Sequence, residues 1–359
     1  MNTDQRRIFD AVYNSVKEGR NMCRKFVTGE AGTGKSFVIK CLVQSITKEL
    51  KREVAVIAPT GIAAFNIGGL TMHRLLQLPV EHKRGTPTYY PLFDAAIGNI
   101  REKLQNVALV IIDEISMVSN VNFLYTHLRL QEIFNSFDDP EPFGKRHMLL
   151  FGDLLQLPPV SDSPVFLRVS KAVLNKCVHA MAPVDLWSMF DYDELRINMR
   201  QKNDDTYKKI LGNLRVGTIT EEDTEKLRTR YINLISNNPI DRINKLCDYI
   251  QSLRANEPVV IVPTNEMCNA LNQSMLARNN NEEIELIAQD HIDSAIEYQR
   301  KQAHKKLQAD NDASMTAGLS RVIKIKKNAR VMIRRNINRS LGLVNGTLCV
   351  VDSVIRLVT

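Results

Sequence analysis

No stretch of this 359-residue sequence is apolar for long. Nothing in it approaches the roughly 18 consecutive apolar residues that cross a bilayer, so neither a membrane anchor nor a membrane partner is expected. The opening residues, MNTDQRRIFDAV, are polar and carry Asp4 and Asp10. That pattern fits neither a signal peptide nor a transit peptide, and a nuclear or cytoplasmic location is expected. Cysteine is scarce: Cys23, Cys41, Cys177, Cys247, Cys268 and Cys349 are scattered, none in a CxxC pair and none at metal-ligand spacing to the seven histidines. A disulfide framework and a zinc ribbon are thereby excluded, and reduced thiols are expected. Aromatics make up only 6% of the chain, with one tryptophan. Base stacking has little to draw on beyond Phe65, Tyr89 and Tyr90, and Trp187 in VDLWSMF reads as core.

Acid is missing from one stretch, RVIKIKKNARVMIRRNINR, residues 321–339. It carries Arg321, Lys324, Lys326, Lys327, Arg330, Arg334, Arg335 and Arg339. Without these eight, the 48 basic residues fall to 40, level with the 40 acids. The whole net charge of +8 can thus be assigned to this segment. It is either a solvated face or a polyanion-binding surface.

What is present is a regular alternation. DQRRIFDAVYNSVKEG places Ile8, Val12 and Val16 on one helical face. MCRKFVTGE reads as a strand running into a glycine-rich turn, and SFVIKCLVQSITKEL as a helix. EVAVIAPT, VALVIIDE and HMLLFGD read as buried strands. Apolar strands separated by helices predict a parallel sheet covered on both faces. The pattern weakens between residues 78 and 104, which reads as a small insertion. PVVIVPTN reads as one more buried strand, and residues 277–312 as a polar surface segment. No internal repeat is found.

GEAGTGKS, Gly29 to Ser36, fits G-x-x-x-x-G-K-[ST] between a strand and a helix. Glycines there let backbone N–H groups close around phosphate oxygens at a helix N-terminus. Gly29, Ala31, Gly32, Thr33, Gly34, Lys35 and Ser36 form the expected nucleotide-binding set. Lys35 is expected to reach the β- and γ-phosphates and Ser36 to ligate Mg²⁺. VIIDEISMV delivers Asp113 and Glu114 at the end of an apolar strand, where α/β sheets bind ligands. Asp113 is the second expected Mg²⁺ residue, and Glu114 is expected to orient or deprotonate the attacking water. In LLFGDLLQLPPV, Gln156 follows a strand and can sense the γ-phosphate. In INMRQKND, Arg200 follows the first sheet and can serve as an arginine finger. APTGIAAFNIGGLTMH supplies Thr60, Gly61, Thr71 and His73, small and hydroxyl-bearing groups that suit a phosphodiester backbone. No N-K-x-D guanine motif follows either Asn-Lys pair, which argues against a GTPase.

Together GEAGTGKS, APTGIAAFNIGG, IDEISMV, GDLLQLPPV, NMRQ and GLVNG resemble the petite-integration-frequency (Pif-one-like) DNA helicases, in the five-prime to three-prime branch of superfamily one. EISMVSNVNFLYTHLRLQEIF is similar to the signature segment separating that family from its RecD-like relatives. The resemblance implies an α/β fold with a RecA-like P-loop NTPase domain, 1A, at 1–193, carrying a wedge insertion, 1B, at about 78–104. The first part of a second RecA-like domain, 2A, is implied at 195–319, and the start of an SH3-like insertion, 2B, at 320–359. It also implies ATP and Mg²⁺, single-stranded DNA and duplex junctions as partners, a monomer, and work in DNA repair, recombination, replication or telomere maintenance. Gln5, 24 residues before Gly29, matches the glutamine that reads adenine. Lys35, Glu114, Gln156 and Arg200 take catalytic roles. Thr60, Gly61, Thr71 and His73 match the single-strand track.

The sequence departs from the family in three places. Lys145 stands where a second glycine usually follows PFG. Cys349 stands where glycine is frequent. No HKSQG-like or ALSR-like motif occurs in these 359 residues. The expectation is therefore a chain lacking its C-terminal part, with an ATP- and DNA-binding protein without unwinding activity as the alternative.

Overall fold

The computed structural model describes residues 1–359 except 20, 80–87, 138, 161, 175–184, 201–203, 235, 254–257, 289–296, 299–300, 302–320, 336, 339–340 and 356–359. Residues 80–87 of the expected wedge, most of the polar segment after 288, and Arg339 thus lie outside the described residues. The chain divides into two compact units, Met1–Glu225 and Lys226–Thr359. The division places residues 195–225 with the first unit.

Six strands build the first unit: β1 (Arg24–Gly29), β2 (Glu53–Ala58), β3 (Leu70–Thr71), β4 (Val107–Ile112), β5 (His147–Gly152) and β6 (Asp191–Leu195). Their order is β3-β2-β4-β5-β1-β6, and every pairing is parallel. β5 is buried at all six positions, as a central strand covered on both faces must be. The two-residue period sorts its side chains. Met148 and Leu150 enter one core; Leu149 and Phe151 enter the other.

Helices α1 (Thr3–Glu18) and α2 (Lys35–Glu49) cover the second of these faces. Ile8, Val12 and Val16 of α1 meet Val38, Ile39, Leu42 and Ile46 of α2 there, the helical face read from the sequence. A capping box, Asn2 with Gln5, starts α1. α3 (Gly61–Asn66) and α4 (Met72–Leu76) follow β2 and β3. α5 (Asp94–Leu104) and α6 (Asn120–Phe134) close the opposite face with Ile97, Ile100, Leu104, Phe123 and Leu124. The weakly patterned 78–104 region therefore ends in a helix that belongs to the core. A short α7 (Lys171–Leu174) precedes β6, and α8 (Asp205–Val216) and α9 (Glu221–Arg228) follow it.

The second unit contains α10 (Pro239–Ser252) and α11 (Asn265–Ala277), packed around Cys247, Ile250 and Leu271. Two antiparallel pairs follow: β7 (Glu283–Ile287) with β8 (Val322–Lys326), and β9 (Arg330–Met332) with β10 (Leu348–Val350). The expected strand in PVVIVPTN does not form. Val259 and Ile261 are exposed there, because a strand exists only where neighbours supply hydrogen bonds, and no described strand pairs with it.

The turn in VNGT also differs from the tight type I′ hairpin that Asn-Gly suggests. Among its central residues only Gly346 has positive φ, +91°. The Thr347 amide donates to Val344 O, the pattern of a type II turn. The two departures from the family are absorbed locally. Lys145 takes the left-handed conformation itself, with φ +55°, and pairs with Asp139. Cys349 sits in β10 opposite Val331.

Candidate active site

Parallel strands end together, so the loops that follow β1, β4, β5 and β6 meet at one edge of the sheet. After β1 the Gly29–Ser36 loop turns into α2. Its shape requires glycine twice. Gly32 has φ +89°, and a Cβ there would lie 2.5 Å from Arg200 Cβ. Gly34 has φ +86°, and a Cβ there would lie 2.4 Å from Gln5 Nε2. Lys35 Nζ donates to the carbonyls of Gly29 (2.6 Å) and Glu30 (3.2 Å). Burial pushes this ammonium below its ordinary range, against the pull of Glu114, Asp113 and Asp153. Ser36 is exposed in the first turn of α2.

Gln5 is buried against the loop. Its Nε2 donates to Thr33 O (3.0 Å) while its Oε1 accepts from the Asn2 amide (3.1 Å). One amide proton remains for a base. Thr33 Oγ1 donates to Glu30 O (2.9 Å), bracing the loop from within.

After β4, Asp113 is 5% exposed. Burial first, and the charge of Glu114 second, push its carboxyl up to about 6. Its Oδ1 accepts the Glu114 amide at 3.0 Å. Glu114 itself is half-buried with φ +53°, a left-handed backbone that costs a non-glycine residue on the order of 1–3 kcal/mol and clusters at functional sites. Among the described residues no three His, Cys, Asp or Glu side chains gather into a metal cluster. The buried carboxylate of Asp113 and the hydroxyl of Ser36 are hard oxygen donors that suit Mg²⁺, which takes one or two carboxylates and completes its shell from phosphate and water.

The segment after β6 lies on the phosphate loop. The Met199 amide donates to Gly32 O (2.8 Å). Asn198 Nδ2 donates to Ala31 O (3.1 Å), and the Arg200 amide to Asn198 Oδ1 (2.9 Å). Arg200 is exposed and belongs to the same unit as the loop. After β5, Asp153 is 1% exposed, and the exposed Gln156 donates from Nε2 to its Oδ2 (3.2 Å).

Gln5, the loop, Asp113, Glu114, Gln156 and Arg200 therefore converge. Thr60, Gly61, Thr71 and His73 occupy the other half of the same edge, after β2 and β3. Three strand spacings separate β2 from β1, about 14 Å. Thr60 caps α3 by accepting the Ala63 amide, and Ala58 pairs with Thr71. All four are half-buried, and burial lowers the His73 pKa. Of the three aromatics considered for stacking, Phe65 and Tyr90 are exposed. Tyr89 is buried with its hydroxyl on Glu132 (2.8 Å) and is unavailable.

Two polar residues here are assigned no role by the sequence. Asn198 stands in the NMRQ stretch, but only its contact with Ala31 shows what it does. Arg215, on α8, binds Asp153, and nothing in its spacing marks it; only the burial of Asp153 demands such a partner.

Residues 315–354 match the 2B domain of DNA helicase Pif1. The ATP-dependent DNA helicase PIF1 of Danio rerio is 29% identical over 345 residues, covering 95% of this chain and 45% of that protein. The chain thus spans less than half the length of this relative. Among solved structures, Pif1 helicase from Candida albicans gives a TM-score of 0.60 at 24% identity, covering 97% of this chain and 68% of that one. Pif1 helicase from Bacteroides in complex with ADP-AlF3 and single-stranded DNA gives 0.60 at 25% identity, covering 97% and 70%. Residues 1–225 match the PIF1-like helicase family, and on that match, which takes in more than half of the chain, the protein belongs to this family.

Proposed function

We propose that this chain binds ATP with Mg²⁺, hydrolyses it, and couples hydrolysis to five-prime to three-prime movement on single-stranded DNA and to the opening of duplex. The observation that carries this reading is the convergence of Lys35, Asp113, Glu114, Gln156 and Arg200 at one sheet edge. In this reading Lys35 leaves the Gly29 and Glu30 carbonyls for the β- and γ-phosphate oxygens. Gln5 hands its remaining amide proton to adenine. Glu114 orients the attacking water and draws off its proton. Gln156 reads the γ-phosphate, and Arg200 offsets charge developing there, a contribution on the order of 10³–10⁵ in rate. Asp113 and Ser36 would hold the magnesium ion, which when bound offsets phosphate charge. The solved Bacteroides relative carries ADP-AlF3 and single-stranded DNA together, which supports the same pair of ligands here.

DNA is assigned to the Thr60, Gly61, Thr71 and His73 half of the edge, beside the exposed Phe65. In the same reading residues 1–193 act as 1A with its wedge at 78–104, residues 195–319 as the first part of 2A, and residues 320–359 as the start of 2B. The protein works as a monomer at single-strand to duplex junctions. A second reading, ATP and DNA binding without strand separation, is favoured by the small core of the second unit. Its only buried apolar side chains among the described residues are Cys247, Ile250, Leu271 and Val344. ATP turnover with and without single-stranded DNA, in the wild type, Lys35→Ala and Glu114→Gln, tests the first reading. Turnover surviving either substitution would sink it. Forked-duplex unwinding then separates the two readings.

A further inference from the structure

Asp153 ends β5 almost entirely out of water. A carboxylate so placed keeps its charge only beside a cation. Arg215, in the last turn of α8, supplies one. Its Nε donates to Oδ2 at 2.7 Å and its Nη2 to Oδ1 at 2.9 Å, the two-pronged geometry that fixes a carboxylate in a plane. Its Nη1 lies 3.9 Å from Glu30 Oε1 in the phosphate loop. Burial alone would raise the Asp153 carboxyl; the bonds and charge of Arg215, with the bonds from the Leu155 amide and Gln156, together hold it below the ordinary range.

Asp153 has further work. Its Oδ1 accepts the Leu155 amide (3.1 Å) and its Oδ2 the side-chain amide of Gln156 (3.2 Å). One carboxylate thus joins Arg215 to the glutamine assigned to the γ-phosphate. A carboxylate free to rotate would offer that exposed amide no fixed acceptor.

We propose that Arg215 is a positioning residue for hydrolysis: it fixes the Asp153 carboxylate and, through it, the side chain of Gln156. The inference rests on the ATP-hydrolysis reading above. Arg215 acts through Gln156, so its effect must depend on what stands at 156. Residues of one hydrogen-bond network couple in this way, whereas a residue that merely holds the fold lowers activity alike in either background.

The test is a two-by-two comparison of DNA-stimulated ATP turnover by the full chain: Arg215 or Arg215→Gln, each with Gln156 or Gln156→Ala. With Gln156 present, Arg215→Gln should lower kcat by about 10- to 100-fold, within the range of such coupling. KM for ATP should stay within about twofold, and the kcat effect should shrink below about twofold in the Gln156→Ala background. Arg215→Lys keeps a positive charge beside Asp153 but loses the planar fork. It should show the same pattern with a smaller fall, and it carries the test if Arg215→Gln does not fold. Equal falls in both backgrounds, or no fall with Gln156 present, overturn the inference alone. A wild type no faster than Lys35→Ala overturns the ATP-hydrolysis reading and this inference with it.

Discussion

Asp113→Asn should make the protein more stable, and only above a defined pH. The Asp113 carboxyl is raised from 3.8 to about 6, by burial first and by the neighbouring Glu114 charge second. A raised carboxyl means that the folded state prefers the protonated form, so the ionised form costs stability. The cost is fully present above pH 6. It shrinks as the pH falls from 6 to 3.8 and is gone below that. A shift of roughly 2 pH units corresponds to about 3 kcal/mol at 1.36 kcal/mol per unit. Asparagine removes the charge and can still accept the Glu114 amide. For a unit of this size, each kcal/mol moves the melting midpoint by about 2–4 °C. The expected gain at pH 8 is therefore about 6–12 °C, roughly half that at pH 5, and only about a tenth near pH 3.8. Calorimetric melts with EDTA and without nucleotide measure it. No gain at pH 8, or an equal gain at every pH, would refute the burial argument. Adding Mg-ATP should narrow the gap, because a ligand that the wild type binds more tightly stabilises the wild type more.

Arg129→Met should cost about 3–5 kcal/mol, read from the urea midpoint, since it leaves the buried Glu132 carboxylate without its cation; a loss under about 1 kcal/mol would contradict this. Gly34→Ala should weaken ATP binding and cost about 1–2 kcal/mol for its left-handed backbone alone. Adding Gln5→Ala should recover only the part due to the 2.4 Å clash, as isothermal titration and melts together would show. His127 and His147, both lowered to about 4 by burial, accept the amides of Phe143 and Cys23. The unfolded chain takes up protons there that the fold refuses, so their contribution is complete above about pH 6.5 and is lost as the pH falls toward 4, opposite in sign to that of Asp113. Asparagine at either position, which keeps an acceptor, should flatten denaturation stability across that range.

The parts of the fold legible in the sequence are those with local causes. Apolar runs such as VALVII and HMLLFG specify strands buried on both faces whatever surrounds them, and the glycines of GEAGTGKS specify a loop that no other residue type can make. The parts that were not legible depend on distant partners. PVVIV has the composition of a strand, but composition does not supply a neighbouring strand. Tyr89 looks like a stacking platform until Glu132, 43 positions away, takes its hydroxyl. Asn345-Gly346 carries a hairpin signal, yet the loop around it runs from Met332 to Leu348, and that length relaxes the demand for positive φ at both residues. Arg215 is one of 48 basic residues, set apart only by the buried carboxylate it meets.

Charge around Lys35 explains why the site is strained where it is. Asp113, Glu114 and Asp153 all act on this ammonium, with Arg215 opposing them. Arg215 takes both oxygens of Asp153, so that carboxylate is already matched. Asp113 and Glu114 are left facing Lys35, two of whose three protons go to loop carbonyls. Two carboxylates against one committed cation leave an excess negative charge in a low-dielectric corner, and it adds to burial, the larger cause, in raising the Asp113 carboxyl. A phosphate chain that draws Lys35 off the Gly29 and Glu30 carbonyls deepens the excess, and a divalent cation beside Asp113 cancels it. Nucleotide and metal should therefore bind with positive coupling, each raising the affinity of the other by the same factor. Asp113→Asn should reduce that factor toward one, whereas Arg200→Ala should leave it standing. Titrations of ATP at several magnesium concentrations give the factor directly, and a coupling unchanged by Asp113→Asn would show that the strain at Asp113 has another cause.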